Sequence, residues 1–264
     1  MSKQKKIALF LALLIVLAGG SYGLYRLFRT PYQVGTKAGQ LPVLVYHCID
    51  VPPSERDKAK TKDFDYLYVR PRDFDKQLAW LKDEGYRFLT PEEVLTWQPG
   101  EKAVLLTFDD GYTDNYTKAF PILQKYDAKA TIFMVASKIS FYNRLTADQL
   151  REMESSGVWT IGSHGYLHQD FTELTAEKLE ENLRLGKEIL EELSAGPVTA
   201  IAYPRGGYDE VVVAAASRYF EIGFIALPSQ KEGQTHSVMN LPREGVYSYT
   251  TMRDFHYLMR QYFP

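Results

Sequence analysis

The sequence predicts an α/β fold in which one parallel sheet closes into a (β/α) barrel. Apolar strand candidates alternate with amphipathic helix candidates after residue 40, the order that right-handed crossovers between parallel strands produce. Charged and imidazole side chains follow the ends of several strand candidates, and the carboxyl ends of barrel strands share one rim, where active sites are built. Roughly 225 residues follow an N-terminal apolar segment, which suits one such domain.

The N-terminal segment predicts where the protein works. Three lysines precede an uncharged stretch from Ile7 to Tyr25, which at about 1.5 Å per residue just spans a bilayer core of roughly 30 Å. Its basic leading end predicts a cytoplasmic N-terminus and a domain exported to the cell surface. Small residues at 18–20 leave signal-peptide cleavage, and therefore secretion, open. The predicted parts are a basic cytoplasmic end at 1–6, a transmembrane anchor or signal peptide at 7–28, a linker at 29–40 and one catalytic domain at 41–264.

Eight apolar segments of the domain are predicted as strands, and helices are predicted between them. The strands are 41–47, 86–90, 103–109, 130–136, 158–163, 198–204, 222–227 and 240–247. Helical spacing relates Phe74, Leu78 and Leu81, and likewise Leu179, Leu183, Leu190 and Leu193. A capping box with proline at the first helical position is predicted at Thr90–Glu93, and weaker helix starts at Thr146–Gln149 and Thr251–Asp254.

Two carboxylates follow the third strand candidate directly. The run from Ala103 to Phe108 predicts a buried strand, and Asp109-Asp110-Gly111 predicts the turn that leaves it. Neighbouring side chains on an extended chain point different ways. One carboxylate can therefore bind a metal ion while the other reaches a water molecule from another side.

Two histidines at ligand spacing follow the fifth strand candidate. His164 and His168 form an H-x3-H pair, and such a pair on one helical turn directs both rings to one side. With one of the two carboxylates they make a site for zinc, cobalt, nickel or iron that leaves positions open for water and substrate. The spare carboxylate can deprotonate that water, so the residues predict a divalent metal ion and metal-assisted hydrolysis.

The motif T-F-D-D-G at 107–111, together with the histidine pair, resembles the polysaccharide deacetylases with the NodB homology domain, carbohydrate esterase family 4. The resemblance implies that the fold is the irregular seven- or eight-stranded barrel of that family. It also implies that Asp109 is the general base and that the metal ligands are Asp110, His164 and His168.

The chain departs from two motifs of that family. The second motif usually reads H-[ST]-x-x-H-P, and this chain has Gly165 and Gln169 at its first and last variable places, with the ligand spacing kept. The third motif usually reads R-x-x-P-[FY], and its Arg and aromatic residue are both missing here. In the family that Arg orients the base, so Arg205 or Arg243 is expected to orient Asp109. The backbone amide near Arg205 is expected to donate to the developing oxyanion.

The general acid of the family lies in a C-terminal Leu-x-His motif, which is absent after Tyr203. An apolar strand that ends in His47 lies near the N-terminus instead. This arrangement resembles a permuted subgroup, the poly-β-1,6-N-acetyl-D-glucosamine N-deacetylases of biofilm operons. His47 is therefore expected to be the general acid, with Asp50 as a candidate to orient it. Cys48 faces the other side of the strand, so packing is expected for it rather than a nucleophilic role.

The resemblance implies an enzyme that removes N-acetyl groups from poly-β-1,6-N-acetyl-D-glucosamine and releases acetate. Two alternatives stay open: a peptidoglycan or chitin N-deacetylase acting on β-1,4-linked sugar, and a membrane-tethered glycan-binding module without catalysis. The expected partners are a polysaccharide of N-acetylglucosamine and, through the N-terminal segment, a membrane. The net charge of −2 argues against a nucleic-acid partner, and a single cysteine rules out an intrachain disulfide. The sequence does not specify the native metal or the oligomeric state.

Overall fold

The computed structural model describes residues 40–52, 65–226 and 237–263. Eight strands lie in these ranges. In chain order they are β1 (Val43–Tyr46), β2 (Arg87–Phe88), β3 (Ala103–Asp109), β4 (Ala130–Met134), β5 (Trp159–Ser163), β6 (Ala200–Ala202), β7 (Ile222–Ala226) and β8 (Leu241–Gly245).

Seven of these strands form a closed ring. The neighbours run β1, β8, β7, β6, β5, β4 and β3, and β3 then pairs back to β1 with Val43 opposite Leu105. The remaining strand, β2, pairs with the start of β3, where Arg87 lies opposite Ala103. All eight strands pair in parallel. The irregular parallel barrel expected from the sequence is therefore confirmed.

Alternation along the strands separates two apolar layers. One layer fills the ring with strand residues such as Leu105 and Phe133. The other packs against the helices, and there Phe108 makes an edge contact with Phe74 at a centroid distance of 5.7 Å. Asp109 has the same parity as Leu105, so its side chain points into the ring at the carboxyl end.

Seven α-helices lie within the described residues, of which six lie between strands and the last follows β8. They are α1 (Pro71–Asp83), α2 (Pro91–Val94), α3 (Phe120–Tyr126), α4 (Ala147–Ser155), α5 (Ala176–Glu191), α6 (Glu210–Ala216) and α7 (Met252–Arg260). The capping boxes at Thr90, Thr146 and Thr251 begin α2, α4 and α7 as predicted. The apolar stripes predicted for α1 and α5 are buried, and Leu193 lies just beyond the end of α5.

All eight predicted strands are present, and β3 has its predicted bounds. Six others are shorter, because apolar side chains such as Val135 and Tyr203 stay buried after the ladder pairing has ended. β7 matches its prediction over Ile222–Ala226, and residue 227 lies outside the described residues. The segment predicted as an anchor or signal peptide, 7–28, lies outside the described residues. Within them, none of the helices has the length and apolar character needed to cross a membrane.

Candidate active site

Asp109 is held by a buried arginine from the opposite end of the domain sequence. The Arg243 guanidinium donates through Nη1 to Oδ1 and through Nη2 to Oδ2 of Asp109, both at 2.7 Å. Nη1 also donates to Thr107 Oγ1 at 3.2 Å, and Nε donates to the Ile225 carbonyl at 3.4 Å. Arg243 is fully buried and Asp109 is 4% exposed. Such a two-point contact fixes both the position and the plane of the carboxylate.

Two opposing effects set the pKa of Asp109. Burial raises it, but the charge and hydrogen bonds of Arg243 outweigh burial and hold the pKa well below its ordinary value. Asp109 is therefore an ionised carboxylate at neutral pH, and it retains lone pairs with which to accept a proton.

Asp110 turns away from Asp109 because its backbone is left-handed, with φ of 73°. Aspartate tolerates this region better than most residues, and the following Gly111 continues it at φ of 70°. The turn brings Asp110 Oδ1 to 3.4 Å from His168 Nε2 and 3.9 Å from His164 Nε2. Asp109 Oδ2 also lies 3.9 Å from His164 Nε2, so His164 lies between the two carboxylates, whereas Arg243 contacts Asp109 and His168 lies nearest to Asp110.

His164 is oriented by a backbone carbonyl of the next strand. Its Nδ1 lies 2.7 Å from the Ala202 carbonyl oxygen, which only accepts, so Nδ1 carries the proton and Nε2 keeps a lone pair for a metal ion. Burial lowers the pKa of His164 to about 4. The ring is therefore neutral at physiological pH, as a metal ligand must be.

His164 and His168 lie close together although the segment that joins them is not helical. The prediction of a helical turn for this pair was wrong, since residues 164–168 form an irregular loop in which Gly165 has φ of 75°. The two rings still converge, with centroids 5.1 Å apart.

Asp110, His164 and His168 fit a divalent metal ion. Each offers one donor atom, and the three atoms lie within 4.8 Å of one another. One carboxylate and two imidazoles form a set that zinc and related first-row ions accept with positions left open. His164 also has the outer hydrogen bond typical of a metal-binding histidine.

His47 directly follows β1 at the same rim. Tyr46 of β1 pairs with Phe108 of β3, so His47 and Asp109 are the next residues along two neighbouring strands. The His47 backbone carbonyl accepts a 2.8 Å hydrogen bond from Asn115 Nδ2. Nδ1 of His47 is buried and has no hydrogen-bond partner among the described residues.

The neighbours of His47 have other roles. Asp50, a candidate to orient His47, instead forms an ion pair with Lys118 and accepts a hydrogen bond from the Val51 amide. Cys48 is fully buried in a small cluster with Tyr68 and Tyr112, which confirms the packing role expected for it.

The sequence offers Arg205 and Arg243 as candidates to orient Asp109, and Arg243 is the one that contacts it. Arg205 lies in a short 3-10 turn at Pro204–Gly206, with φ of 57° and an exposed side chain. It lines a cavity of about 370 Å³ that His168 also lines. The amides of Gly206 and Gly207 donate within this turn, to Tyr203 and Pro204.

Several groups that hold the site have no individual signal in the sequence. Asn115 binds the backbone of His47, Asn182 of α5 binds the loop that carries the histidines, and Ala202 acts through its carbonyl oxygen. Among the groups that hold the site only Thr107, whose Oγ1 accepts a hydrogen bond from Arg243, belongs to a recognisable motif, T-F-D-D-G.

The chain resembles known proteins along most of the barrel. A family model described as polysaccharide deacetylase matches residues 97–220. Protein YxkH of Bacillus subtilis (strain 168) is 38% identical over 187 residues, which cover 69% of this chain and 62% of YxkH. A poly-β-1,6-N-acetyl-D-glucosamine N-deacetylase of Staphylococcus epidermidis is 28% identical over 182 residues, covering 62% of this chain and 63% of that protein. The chain thus spans less than two thirds of either relative.

Solved structures share both the fold and part of the sequence. A polysaccharide deacetylase from Bacillus cereus superposes with a TM-score of 0.74 at 31% identity, covering 83% of this chain and 68% of that chain. The Streptococcus pyogenes deacetylase PplD, solved in complex with acetate, superposes with a TM-score of 0.72 at 31% identity. The match covers 85% of this chain and 98% of that chain. This chain therefore belongs to the polysaccharide deacetylase family.

Proposed function

We propose that this protein is a metal-dependent N-deacetylase that removes acetyl groups from poly-β-1,6-N-acetyl-D-glucosamine and releases acetate. One observation carries the chemistry: a fixed, ionised carboxylate, Asp109, lies beside three converging metal ligands, Asp110, His164 and His168. The choice of linkage is supported by the N-terminal position of His47 and by the relative from Staphylococcus epidermidis that is named for this polymer.

Asp109 is the proposed general base. Its carboxylate accepts a proton from the attacking water, and Arg243 keeps it ionised and oriented while it does so. A divalent ion held by Asp110, His164 and His168 would polarise the acetyl carbonyl and acidify the water. His47, which follows β1 at the same rim as Asp109, donates the proton that the departing amine needs.

The turn that contains Arg205 is the proposed source of an oxyanion donor. Pro204 has no amide proton, and the amides of Gly206 and Gly207 are engaged within the turn. We therefore assign the backbone amide of Arg205 to the developing oxyanion of the acetyl group. The Arg205 side chain takes no part in holding the base.

A group of tyrosines beside the site suits a carbohydrate polymer. Tyr247 follows β8, and its ring lies against Gly245, two residues beyond Arg243 on that strand. It packs edge to face on Tyr66 at 5.5 Å and lies tilted against Tyr249 at 5.4 Å. Tyr66 and Tyr249 remain 43% and 47% exposed. Aromatic side chains with an apolar face and a polar tip suit sugar rings.

The N-terminal segment favours a location at the cell surface. We propose that residues 7–28 hold the protein at the membrane and that the barrel is exported to the cell surface. Deacetylation there would give the glycan positive charges, which favour its retention on an anionic surface.

The proposal is tested by acetate release from β-1,6-linked and β-1,4-linked N-acetylglucosamine oligomers, with added zinc or cobalt and with chelator. We expect chelator-sensitive release from the β-1,6-linked oligomers at a kcat/KM at least about tenfold higher than for the β-1,4-linked ones. Preference for the β-1,4 linkage would show that the protein is a peptidoglycan or chitin N-deacetylase instead. Absence of metal-dependent release from both would leave a glycan-binding module.

A further inference from the structure

The loop that carries His164 and His168 departs from its family motif at two positions, although both ligand positions are kept. Gly165 and Gln169 stand where H-[ST]-x-x-H-P has a hydroxyl residue and a proline. The loop is not helical, so no intrahelical ladder fixes the relative position of the two rings. Some other contact must hold them.

The Ala136 and Ser137 amides donate to the Gly165 and Tyr166 carbonyls at 3.0 Å, and Asn182 of α5 supplies the contact on the other side of the loop. Its Oδ1 accepts hydrogen bonds from the amides of Tyr166 at 2.7 Å and Leu167 at 3.2 Å. Its Nδ2 donates to the Leu167 carbonyl at 3.5 Å and to Gln169 Oε1 at 3.4 Å. Its backbone carbonyl accepts a second bond from the Tyr166 amide at 3.2 Å. Asn182 itself is 4% exposed, so its side chain is buried between α5 and the loop, while Leu167 on the outer side of the loop is 40% exposed.

Two glycines allow α5 to approach the loop this closely. A Cβ at Gly165 would lie 2.7 Å from Asn182 Oδ1, and φ of 75° already disfavours other residues there. A Cβ at Gly186, one turn along α5, would lie 2.8 Å from both the Gly165 carbonyl carbon and the Tyr166 nitrogen. Gly165, Gln169, Asn182 and Gly186 therefore act as a unit, which we term the loop clamp.

We propose that Asn182 is a positioning residue that, through the loop clamp, holds His164 and His168 in ligand geometry before a metal ion binds. The inference rests on the metal-binding part of the proposed function. A glycine-containing loop without this clamp would sample many conformations, and binding would have to order it at an entropic cost. Asn182 touches no reacting atom and acts only through the loop backbone.

The test compares zinc affinities of the full chain by competition with a chromogenic chelator. We expect Asn182→Leu, which is similar in size but removes every side-chain hydrogen bond, to weaken zinc binding about tenfold to hundredfold. Asn182→Asp keeps the two acceptor bonds and loses the donor bonds, so its loss should be intermediate. Leu190→Ala is the matched control, because Leu190 is buried on the same helix, two turns beyond Asn182. It should lower the melting temperature and leave the zinc affinity within about twofold.

Hydrogen exchange of the Tyr166 and Leu167 amides in chelator-treated protein gives a readout that needs no metal. We expect both amides to be protected in the wild type and in Leu190→Ala and to exchange at least about tenfold faster in Asn182→Leu. Wild-type zinc affinity in Asn182→Leu would overturn the proposal while leaving the proposed function intact. A wild type that binds no divalent ion would refute the metal-dependent function, and unprotected amides in it would refute the clamp separately. If Asn182→Leu does not fold, Asn182→Asp decides by the same two measurements.

Discussion

Arg243 shows why a single side chain in the site was hard to identify from the sequence. It lies 134 positions from Asp109 and comes from a strand whose pattern alone does not reveal which residues face the ring. Arg205 looked equally suitable because it directly follows a strand candidate. Only the closure of the ring brings β8 into a position from which Arg243 reaches the carboxylate. By contrast Asp109, Asp110 and the two histidines were found from local motifs.

Replacement of Arg243 should damage both activity and stability. Arg243→Ala leaves the buried Asp109 charge unpaired, which should lower the free energy of unfolding by about 3–5 kcal/mol. Arg243→Lys retains the charge but loses the two-point contact, so we expect kcat to fall by about tenfold or more with a smaller loss of stability. Urea unfolding and acetate release measure the two effects. Arg205→Ala is the matched control, and a larger loss of kcat in it than in Arg243→Lys would contradict the assignment.

Asp114 should make stability depend on pH. Burial raises its pKa to about 6, with Asp50 also raising it and the Ile49 amide, Lys118 and Arg144 lowering it. The pKa of Asp114 is higher in the folded protein than in the unfolded one, so protonation of Asp114 stabilises the folded state. This contribution to the free energy of unfolding is fully present below about pH 4 and is lost as pH rises through about 6.

Asp114→Asn isolates this effect, because the amide oxygen can still accept from the Ile49 amide. The stability of the wild type relative to Asp114→Asn should fall by about 2 kcal/mol between pH 4 and pH 7. Urea unfolding with chelator at both pH values measures it. A difference that is constant with pH, or that grows as pH rises, would show that the pKa of Asp114 is not raised.

Among the secondary-structure elements, strands and helix starts could be predicted from neighbouring residues in the sequence, whereas the conformation of the loop that carries the two histidines could not. Apolar runs and capping boxes act within a few residues, so the eight strands and the starts of α2, α4 and α7 were predictable. The H-x3-H spacing suggested a helical turn. Gly165 takes a left-handed conformation instead, and Asn182 holds the loop from a helix that begins later in the chain.

The close contact of α5 with this loop predicts an unusual response to a glycine substitution. Gly186→Ala normally favours a helix by about 1 kcal/mol, but here the new methyl group would meet the loop backbone. We expect the free energy of unfolding to fall by about 1–3 kcal/mol and zinc affinity to fall with it.

Gly196 is the matched control for that substitution, because nothing lies within 4 Å of the position where a Cβ would be added. Urea unfolding should place Gly196→Ala within about 0.5 kcal/mol of the wild type. A stabilised Gly186→Ala with unchanged zinc affinity would show that α5 does not constrain the loop.

At the scale of the whole barrel, ring closure lets residues that are distant in the chain lie at one rim. β1 lies between β3 and β8, so His47 from the start of the domain reaches the same rim as Asp109 and Arg243. The sequence predicted this shared rim from alternating strands and helices. It did not decide between seven and eight strands, because β2 has the pattern of a ring strand but pairs only at the start of β3 within the described residues.

Metal binding should stabilise the whole fold. An ion that binds only the folded protein adds about 2.7 kcal/mol at a concentration one hundred times its Kd. Zinc should therefore raise the melting temperature of the wild type, and chelator should reverse the rise. His168→Ala removes a half-buried ligand and should abolish most of the shift. An equal shift in His168→Ala would place the ion elsewhere.

The most direct measurement of the central claim is acetate release from a β-1,6-linked N-acetylglucosamine oligomer by zinc-loaded wild type and Asp109→Asn, with bound zinc quantified in the same samples. The account predicts equal zinc content and a loss of kcat on the order of 10²–10⁴ in Asp109→Asn, because the ligands remain while the base is gone. Release at the wild-type rate by Asp109→Asn would contradict the account.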